Sequence, residues 1–219
     1  MGTITRTFAN NITTSGVFKP TAFNNASFDN VTAVPSGAVE GGNMVLLSTQ
    51  TASASSSISF TTGIDSTYKE YLFLFNSIHP QTDGVDFTFN LSTDGGSNYN
   101  VTKTTTAFYA YHIEADTGEA LEYSPSYDLA QSTSDKLLSV KIGNDNDQTC
   151  SGYLHLFNPS STNYVKHFIS VSNRAYYGDY TVQDFIAGYG NTTSAIDAII
   201  FRMSSGNIDA GTISLFGVN

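Results

Sequence analysis

Two groups of tyrosines are the first candidates for a binding site in this sequence, which contains thirteen tyrosines and no tryptophan. Tyr109 and Tyr111 are two residues apart, so in a β-strand they share one face. Tyr176, Tyr177 and Tyr180 form an aromatic loop around Gly-Asp. Exposed aromatic rings stack on sugars or anchor protein interfaces, and the sequence leaves both roles open for these tyrosines.

A second candidate is a cation site in the acidic segment 143–148 (GNDNDQ). Asp145 and Asp147, with the amides beside them, are oxygen ligands of the kind that calcium prefers. The segment has no glutamate at the EF-hand spacing, and Asn and Asp are also ordinary loop residues. Calcium is therefore a candidate ligand, and no other cofactor is predicted.

Catalytic signatures are not found in the sequence. It contains neither a G-x-S-x-G nucleophile elbow nor a Walker-type phosphate loop. The carboxylates are numerous, but no pair is placed to indicate glycosidase chemistry. The single cysteine, Cys150, lies in a strand pattern and is predicted to be a small buried hydrophobe. No catalytic residue is predicted, and we expect a protein that is not an enzyme.

The scaffold that must position these groups is organised around residues 68–99. Residues 71–75 are apolar on both faces, which predicts a central strand covered on both sides. Residues 85–91 alternate between apolar and polar side chains, as in a strand with one buried face. The intervening loop contains Pro80 and Gly84, so the two strands are predicted to form a β-hairpin.

The remaining chain predicts an all-β domain. Strands are predicted at about 44–50, 56–62, 68–77, 85–92, 99–113, 137–143, 150–157, 164–172, 180–188, 195–203 and 210–218. A C-terminal strand that returns to pair with the first one indicates a jelly-roll-like antiparallel β-sandwich. Residues 92–99 are predicted to form a structural Asp-Gly turn. Residues 116–136 are predicted to be an exposed loop, with a short helical turn at 127–130.

Residues 1–43 differ from the domain that follows, because their hydrophobes are scattered and show no sustained period. We interpret this segment as an extended N-terminal arm and residues 44–219 as the β-sandwich domain. The arm is expected to lie against its own domain, a sister subunit or a larger particle. Its candidate docking residues are single hydrophobes spaced like anchors: Phe8, Val17, Phe18, Phe23, Phe28 and Val31.

Charge and hydropathy argue against two classes of partner. The formal net charge is −10 and the sequence pI is about 4.5, so phosphate backbones and anionic lipid surfaces repel the chain. No apolar run is long enough to span a bilayer. Nucleic-acid binding and membrane insertion are therefore not expected.

Several segments resemble a group of virion structural proteins from tailed phages of marine bacteria. The resemblance covers most of residues 44–218, and residues 63–68 and 76–80 are its more specific parts. It is carried by residues 44–50 (MVLLSTQ), 60–68 (FTTGIDSTY), 76–80 (NSIHP), 91–96 (LSTDGG) and 201–213 (FRMSSGNIDAGTI). It implies a β-sandwich without enzymatic activity, made in the bacterial host cytoplasm and displayed on the virion surface.

The first functional hypothesis is thus a non-enzymatic virion subunit, a capsid decoration, head or tail fibre, or tail appendage. Its arm docks on capsid or tail proteins, and a homo-oligomer is expected, with a trimer favoured because threefold packing buries edge strands. The alternative is a carbohydrate-binding module that attaches to host surface glycan through the tyrosines. A glycan-degrading enzyme ranks third.

Overall fold

The computed structural model describes residues 44–219, and the regular secondary structure of this part of the chain is β-strand apart from one 3₁₀ turn. The predicted all-β class is confirmed. The strands are β1 (Met44–Thr51), β2 (Ile58–Phe60), β3 (Glu70–Pro80), β4 (Val85–Ser92), β5 (Lys103–Ile113), β6 (Glu119–Tyr123), β7 (Lys136–Ile142), β8 (Cys150–Phe157), β9 (Lys166–Tyr176), β10 (Tyr180–Gly190), β11 (Ala198–Met203) and β12 (Ile208–Val218).

Eight of these strands form the two sheets of a jelly roll. One sheet has the order β1-β12-β3-β8 and the other the order β2-β11-β4-β7, with antiparallel neighbours throughout. This arrangement, in which the first and last strands pair, confirms the jelly-roll-like sandwich predicted from the sequence.

The other four strands enlarge the first sheet. Strand β9 pairs with β8, β10 with β9, β5 with β10 and β6 with β5, so this sheet has eight strands. We call β9, β10, β5 and β6 the extension. A single bridge between Ile142 of β7 and Tyr176 of β9 joins the extension to the four-stranded sheet. The extension carries all five of the tyrosines predicted to bind a ligand, with Tyr177 in its β9–β10 turn.

Aromatic side chains fill the space between the two sheets. Phe73 of β3 contacts Phe60 and Phe201 of the opposite sheet, each with a ring-centroid distance of 5.5 Å. Phe75 meets Phe87 across the same gap at 5.3 Å. All five rings are at most 2% exposed. Edge-to-face and offset contacts of this kind add to the free energy that burial of the rings contributes.

The hairpin predicted for residues 68–99 is wrong, although both of its strands exist. Strand β3 pairs with β12 and β8, whereas β4 pairs with β11 and β7, so the chain crosses from one sheet to the other between Pro80 and Val85. Alternation and a turn signal locate two strands but do not identify their partners. Here each strand buries its aromatic face against the other across the core.

Strand β3 is central, as predicted. Within residues 44–219, however, no second layer of structure covers its outer face. Its inner residues Tyr71, Phe73 and Phe75 are fully buried, whereas Leu72 and Leu74 on the outer face are half-buried. The prediction of cover on both sides is therefore not met within residues 44–219.

The segment predicted as a loop, 116–136, contains strand β6 and a 3₁₀ turn over Pro125–Tyr127. The predicted helical turn at 127–130 is thus displaced towards the N-terminus. Strand β6 is short and carries Glu119 and Glu122, so its sequence lacks the apolar alternation that identifies a buried strand. Strand β6 lies at the sheet edge and pairs only with β5.

The predicted Asp-Gly turn after β4 is confirmed, although the two strands that it separates do not pair. Asp94 Oδ1 accepts hydrogen bonds from the Ser92 hydroxyl at 2.7 Å and the Asn98 backbone N–H at 2.9 Å. Gly95 and Gly96 adopt φ of 68° and 85°, which favour glycine. The turn therefore has a structural role at the end of β4.

Replacing Phe201 by alanine tests the importance of the aromatic core. Phe201 is fully buried and its ring lies against those of Phe60, Phe73, Phe87 and Phe89. We expect Phe201→Ala to lower the free energy of unfolding by about 3–5 kcal/mol, measured by urea denaturation.

The matched control is Tyr164→Ala, because Tyr164 is 70% exposed. This change should alter stability by no more than about 0.5 kcal/mol. Equal losses in the two variants would contradict the assignment of Phe201 to the core.

Candidate functional site

A cavity of about 340 Å³ lies where the extension meets the end of β7. Strands β5, β6, β9 and β10 contribute most of its wall, and Lys141 of β7 closes one side. Concave sites with aromatic walls and a few polar groups are the usual form of a ligand site. The lining residues are Tyr109, Tyr111, Glu122, Tyr127, Lys141, Arg174, Tyr176, Tyr180 and Val182.

Strand register brings the tyrosines together. Tyr109 and Tyr111 share the cavity face of β5, as their spacing predicts. Strand β10 pairs with β5 on one side and β9 on the other, and Tyr180 is aligned with Tyr176 across the tight turn between β9 and β10. Tyrosines from three different strands therefore lie on one surface.

Their rings form a continuous row along the cavity. The Tyr176 and Tyr180 rings stack with centroids 5.1 Å apart, and Tyr180 stacks on Tyr111 at 5.8 Å. Tyr109 lies 6.2 Å from Tyr111 and 5.9 Å from Tyr127. We call these five residues the tyrosine row. Mutual stacking restricts the rings, so a ligand that packs on them orders few side chains.

Four of the five tyrosines predicted from sequence line the cavity, and the fifth lies beside it. Tyr177 is 45% exposed and packs its ring on that of Tyr176 at 4.6 Å. Tyr127 also lines the cavity but is not among the five selected from the sequence, and sequence reasoning missed Glu122, Lys141 and Arg174 as site residues. Arg174 could have been found, because it stands two residues before Tyr176 and so shares its strand face.

A buried ion pair lies at the base of the cavity. The Arg174 Nη1 donates a hydrogen bond to Asp184 Oδ2 at 3.1 Å, and both side chains are almost fully buried. The guanidinium carbon lies 5.7 Å from the centre of the Tyr176 ring, a distance at which a cation is attracted to the ring. Burial raises the pKa of Asp184 to about 7, against the opposing effect of Arg174 and Lys136.

Glu122 and Lys141 add further polar groups to the cavity wall. The Tyr109 hydroxyl donates a hydrogen bond to Glu122 Oε2 at 2.6 Å, and this bond raises the pKa of Tyr109. The hydroxyl therefore stays protonated at neutral pH. Lys141 has φ of 56°, and its backbone N–H donates to Asp86 Oδ1 at 2.8 Å. The backbone of Lys141 is thus held in a rarely populated conformation at the cavity rim.

Two buried lysines hold the structure behind the tyrosine row. Lys136 of β7 donates a hydrogen bond to the carbonyl oxygen of Tyr127, which keeps Tyr127 next to Tyr109. Lys103 of β5 donates to Asn90 Oδ1 of β4 at 2.5 Å and so ties the extension to the four-stranded sheet. Burial lowers the pKa of each lysine to about 8.

The groups of the cavity wall suit contact with a sugar ring. The wall carries the Glu122 carboxylate, the Lys141 ammonium group and the tyrosine rings. Aromatic faces beside hydroxyl, carboxylate and ammonium groups can contact the apolar face and the hydroxyls of a sugar ring.

The other predicted sites have different outcomes. All six candidate docking residues of the arm lie outside the described residues. Asp145 and Asp147 lie on an exposed loop, where Asn144 is held by Asp83 and Gln81 through hydrogen bonds of 3.2 and 3.3 Å. Among residues 44–219 no group of three or more His, Cys, Asp or Glu side chains is arranged to hold a metal ion. Calcium binding stays a prediction.

Comparison with known proteins returns no matching family model, no matching curated protein and no matching solved structure. In the described part of the chain, no helix is long and apolar enough to cross a membrane.

Replacing Arg174 by methionine tests the ion pair beneath the cavity. The change leaves Asp184 buried without its partner, so we expect the free energy of unfolding to fall by about 3 kcal/mol at pH 8. The loss should be smaller at pH 5, because a carboxyl group with a pKa of about 7 is already protonated there in the folded protein. Urea denaturation at both pH values measures it.

Arg202→Met is the matched control. Arg202 pairs with Asp135 at 2.6 Å, but its side chain is 41% exposed, so its loss should cost about 1 kcal/mol or less. Equal losses for Arg174→Met at pH 5 and pH 8 would contradict the protonation of Asp184.

Proposed function

We propose that the chain is a non-enzymatic structural subunit of a phage virion, a capsid decoration, fibre or tail-appendage protein held on the particle by residues 1–43. The resemblance of residues 44–218 to virion proteins supports this proposal. The expected partners are capsid or tail proteins.

The observation that carries the proposal is the jelly-roll strand order of residues 44–219. Jelly rolls are recurrent scaffolds of viral capsid and lectin domains. This support is an analogy at the level of the fold, and a fold hosts more than one function. The chain adds two features suited to display: an interlocked aromatic core and a first strand that starts at the sheet edge, directly after the arm.

Co-sedimentation with phage particles stripped of the protein tests the docking role of the arm. The full-length chain should sediment with the particles. Replacing Phe18 and Phe23 together by serine should weaken binding at least about tenfold, because two anchors that bury apolar surface are removed.

Thr14→Ser with Thr21→Ser is the matched control in the same segment, and it should bind like the unmodified chain. If the serine variant at Phe18 and Phe23 binds particles as well as the control does, these residues are not the anchor. If the unmodified chain does not bind, the virion proposal fails.

The tyrosine-lined cavity favours a second candidate function, recognition of a carbohydrate on the host surface. The tyrosine row offers stacked rings, and Glu122 and Lys141 offer an acceptor and a donor beside them. Carbohydrate binding is compatible with a virion subunit, because the cavity lies in the described domain and not in the arm.

Replacing Tyr111 by alanine tests the carbohydrate proposal. Glycans that bind the unmodified protein on a glycan array should bind Tyr111→Ala about tenfold more weakly in calorimetry, since one stacking ring is lost. Tyr164→Ala, a change at a tyrosine 70% exposed and away from the cavity, should bind normally. Unchanged affinity in Tyr111→Ala would place the glycan elsewhere.

A further inference from the structure

The outer face of the eight-stranded sheet, opposite the cavity, carries two neighbouring rows of apolar side chains. Strand register aligns the members of each row across the sheet. We call these rows the outer apolar face. The first contains Leu74, Tyr153, Val171, Phe185, Phe108 and Tyr123. The second contains Leu46, Phe216, Leu72 and Ile169, with His155 between the last two.

These side chains are unusually accessible for a sheet face. Leu46 is 57% exposed, Tyr123 59%, Ile169 44% and Phe108 43%. The Phe108 ring lies flat on that of Phe185, with centroids 4.7 Å apart. An apolar surface that is continuous across a sheet, and not scattered, marks an interaction site in a folded protein.

Two apolar cavities open on the same face. One of about 500 Å³ is lined by Phe157, His167, Ile169 and Tyr189 with neighbouring threonines. The other, of about 140 Å³, lies between Phe108, Phe185 and Ile169. Exposed tyrosines such as Tyr153 and Tyr123 have the size to enter hollows of this kind. The face therefore supplies both the hollows and the side chains that could fill them.

The charge of the face suits a second copy of the same chain. The protein has a formal net charge of −10, so two copies repel each other over most of their surface. The first row contains no ionisable acid or base apart from tyrosine hydroxyls. In the second, the one carboxylate at the border is that of Glu70, whose Oε2 lies 2.9 Å from His155 Nε2. Two such faces can meet with few charges opposed.

The dimensions allow this occupant. The first row crosses six strands and the second five, so the rows extend about 24–29 Å across the sheet and, with their borders, about 15 Å along the strands. Each copy would contribute about 400 Å² from the rows, about half of the roughly 800 Å² per partner of a standard interface, and the residues that border the rows would supply the rest. Sheets pack face to face with a spacing of about 10 Å, and a broad face suits another sheet better than one extended segment does.

We propose that the outer apolar face is the contact surface between two copies of this chain, packed face to face about a twofold axis. A face that meets itself is isologous, so it joins subunits in pairs, in contrast to the threefold assembly expected from the sequence. The inference goes beyond the virion proposal, because it requires no particle. In the pair, the two tyrosine-lined cavities lie on opposite outer sides.

Sedimentation velocity of the full-length protein tests the proposal. The unmodified chain should sediment at twice its monomer mass of 23.5 kDa. The variant Phe108→Glu with Ile169→Glu places two carboxylates on the face and should raise the dimer dissociation constant at least about a hundredfold. Thr162→Glu with Asn163→Glu, in the exposed loop before β9, adds the same charge off the face and should leave the dimer unchanged.

A cysteine cross-link keeps the test decisive if the glutamate variant does not fold. The native thiol, Cys150, is 1% exposed, so an introduced surface cysteine reacts without competition. Val171→Cys, near the middle of the first row, should form a disulfide-linked dimer under mild oxidation. Thr162→Cys should not.

The alternative occupant of the face is the chain's own residues 1–43. If the full-length protein is monomeric at about 100 µM while a 44–219 fragment self-associates, the arm covers the face and the proposal is overturned. A monomer in both cases also overturns it, as does a dimer that persists with Phe108→Glu and Ile169→Glu. None of these results depends on particle binding, so they leave the virion proposal to its own test.

Discussion

The register of β10 is the constraint on which the two surfaces of the extension depend. Tyr180–Gly190 is paired along its whole length with β5 on one side and β9 on the other. Alternate residues of the three strands therefore point to opposite sides in phase. One set supplies four rings of the tyrosine row together with Arg174 and Asp184, and the other set supplies Phe108, Ile169, Val171 and Phe185 of the outer apolar face. A slip of one residue in the register would move each set of side chains to the opposite side of the sheet. The same register therefore determines both surfaces.

Burial of charge is the main cost of this architecture. Lys103, Lys136, Arg174 and Asp184 lie between the extension and the four-stranded sheet, in a position where a simpler sandwich would place hydrophobes. Each makes a specific hydrogen bond there. Groups of this kind contribute little net stability, but they disfavour any other packing of the extension that leaves a charge without its partner. These pairings therefore favour one position of the extension, and the geometry of the cavity depends on that position.

Strand positions and the jelly-roll class could be predicted from the sequence because alternation, turn residues and the apolar terminal strands are local signals. Partners could not, as the β3–β4 connection shows: the same short turn serves a hairpin or a crossing between sheets. The shared face of Tyr109 and Tyr111 could be predicted because residue spacing on a strand is a local signal. Their approach to Tyr176 and Tyr180 could not, because it follows from the pairing of β10 with β5 and β9. Lys141 and Glu122 were missed because β7 and β6 reach the site through tertiary packing.

Strands β1 and β12 also determine how the domain responds to force. Met44 is aligned with Val218, so the chain enters and leaves the jelly roll at the same end of one antiparallel ladder. A pull between these two points acts on the ladder as on a zipper, because the hydrogen-bonded pairs are loaded one after another and not all at once. The fold is thus poorly suited to carrying tension between Met44 and Val218.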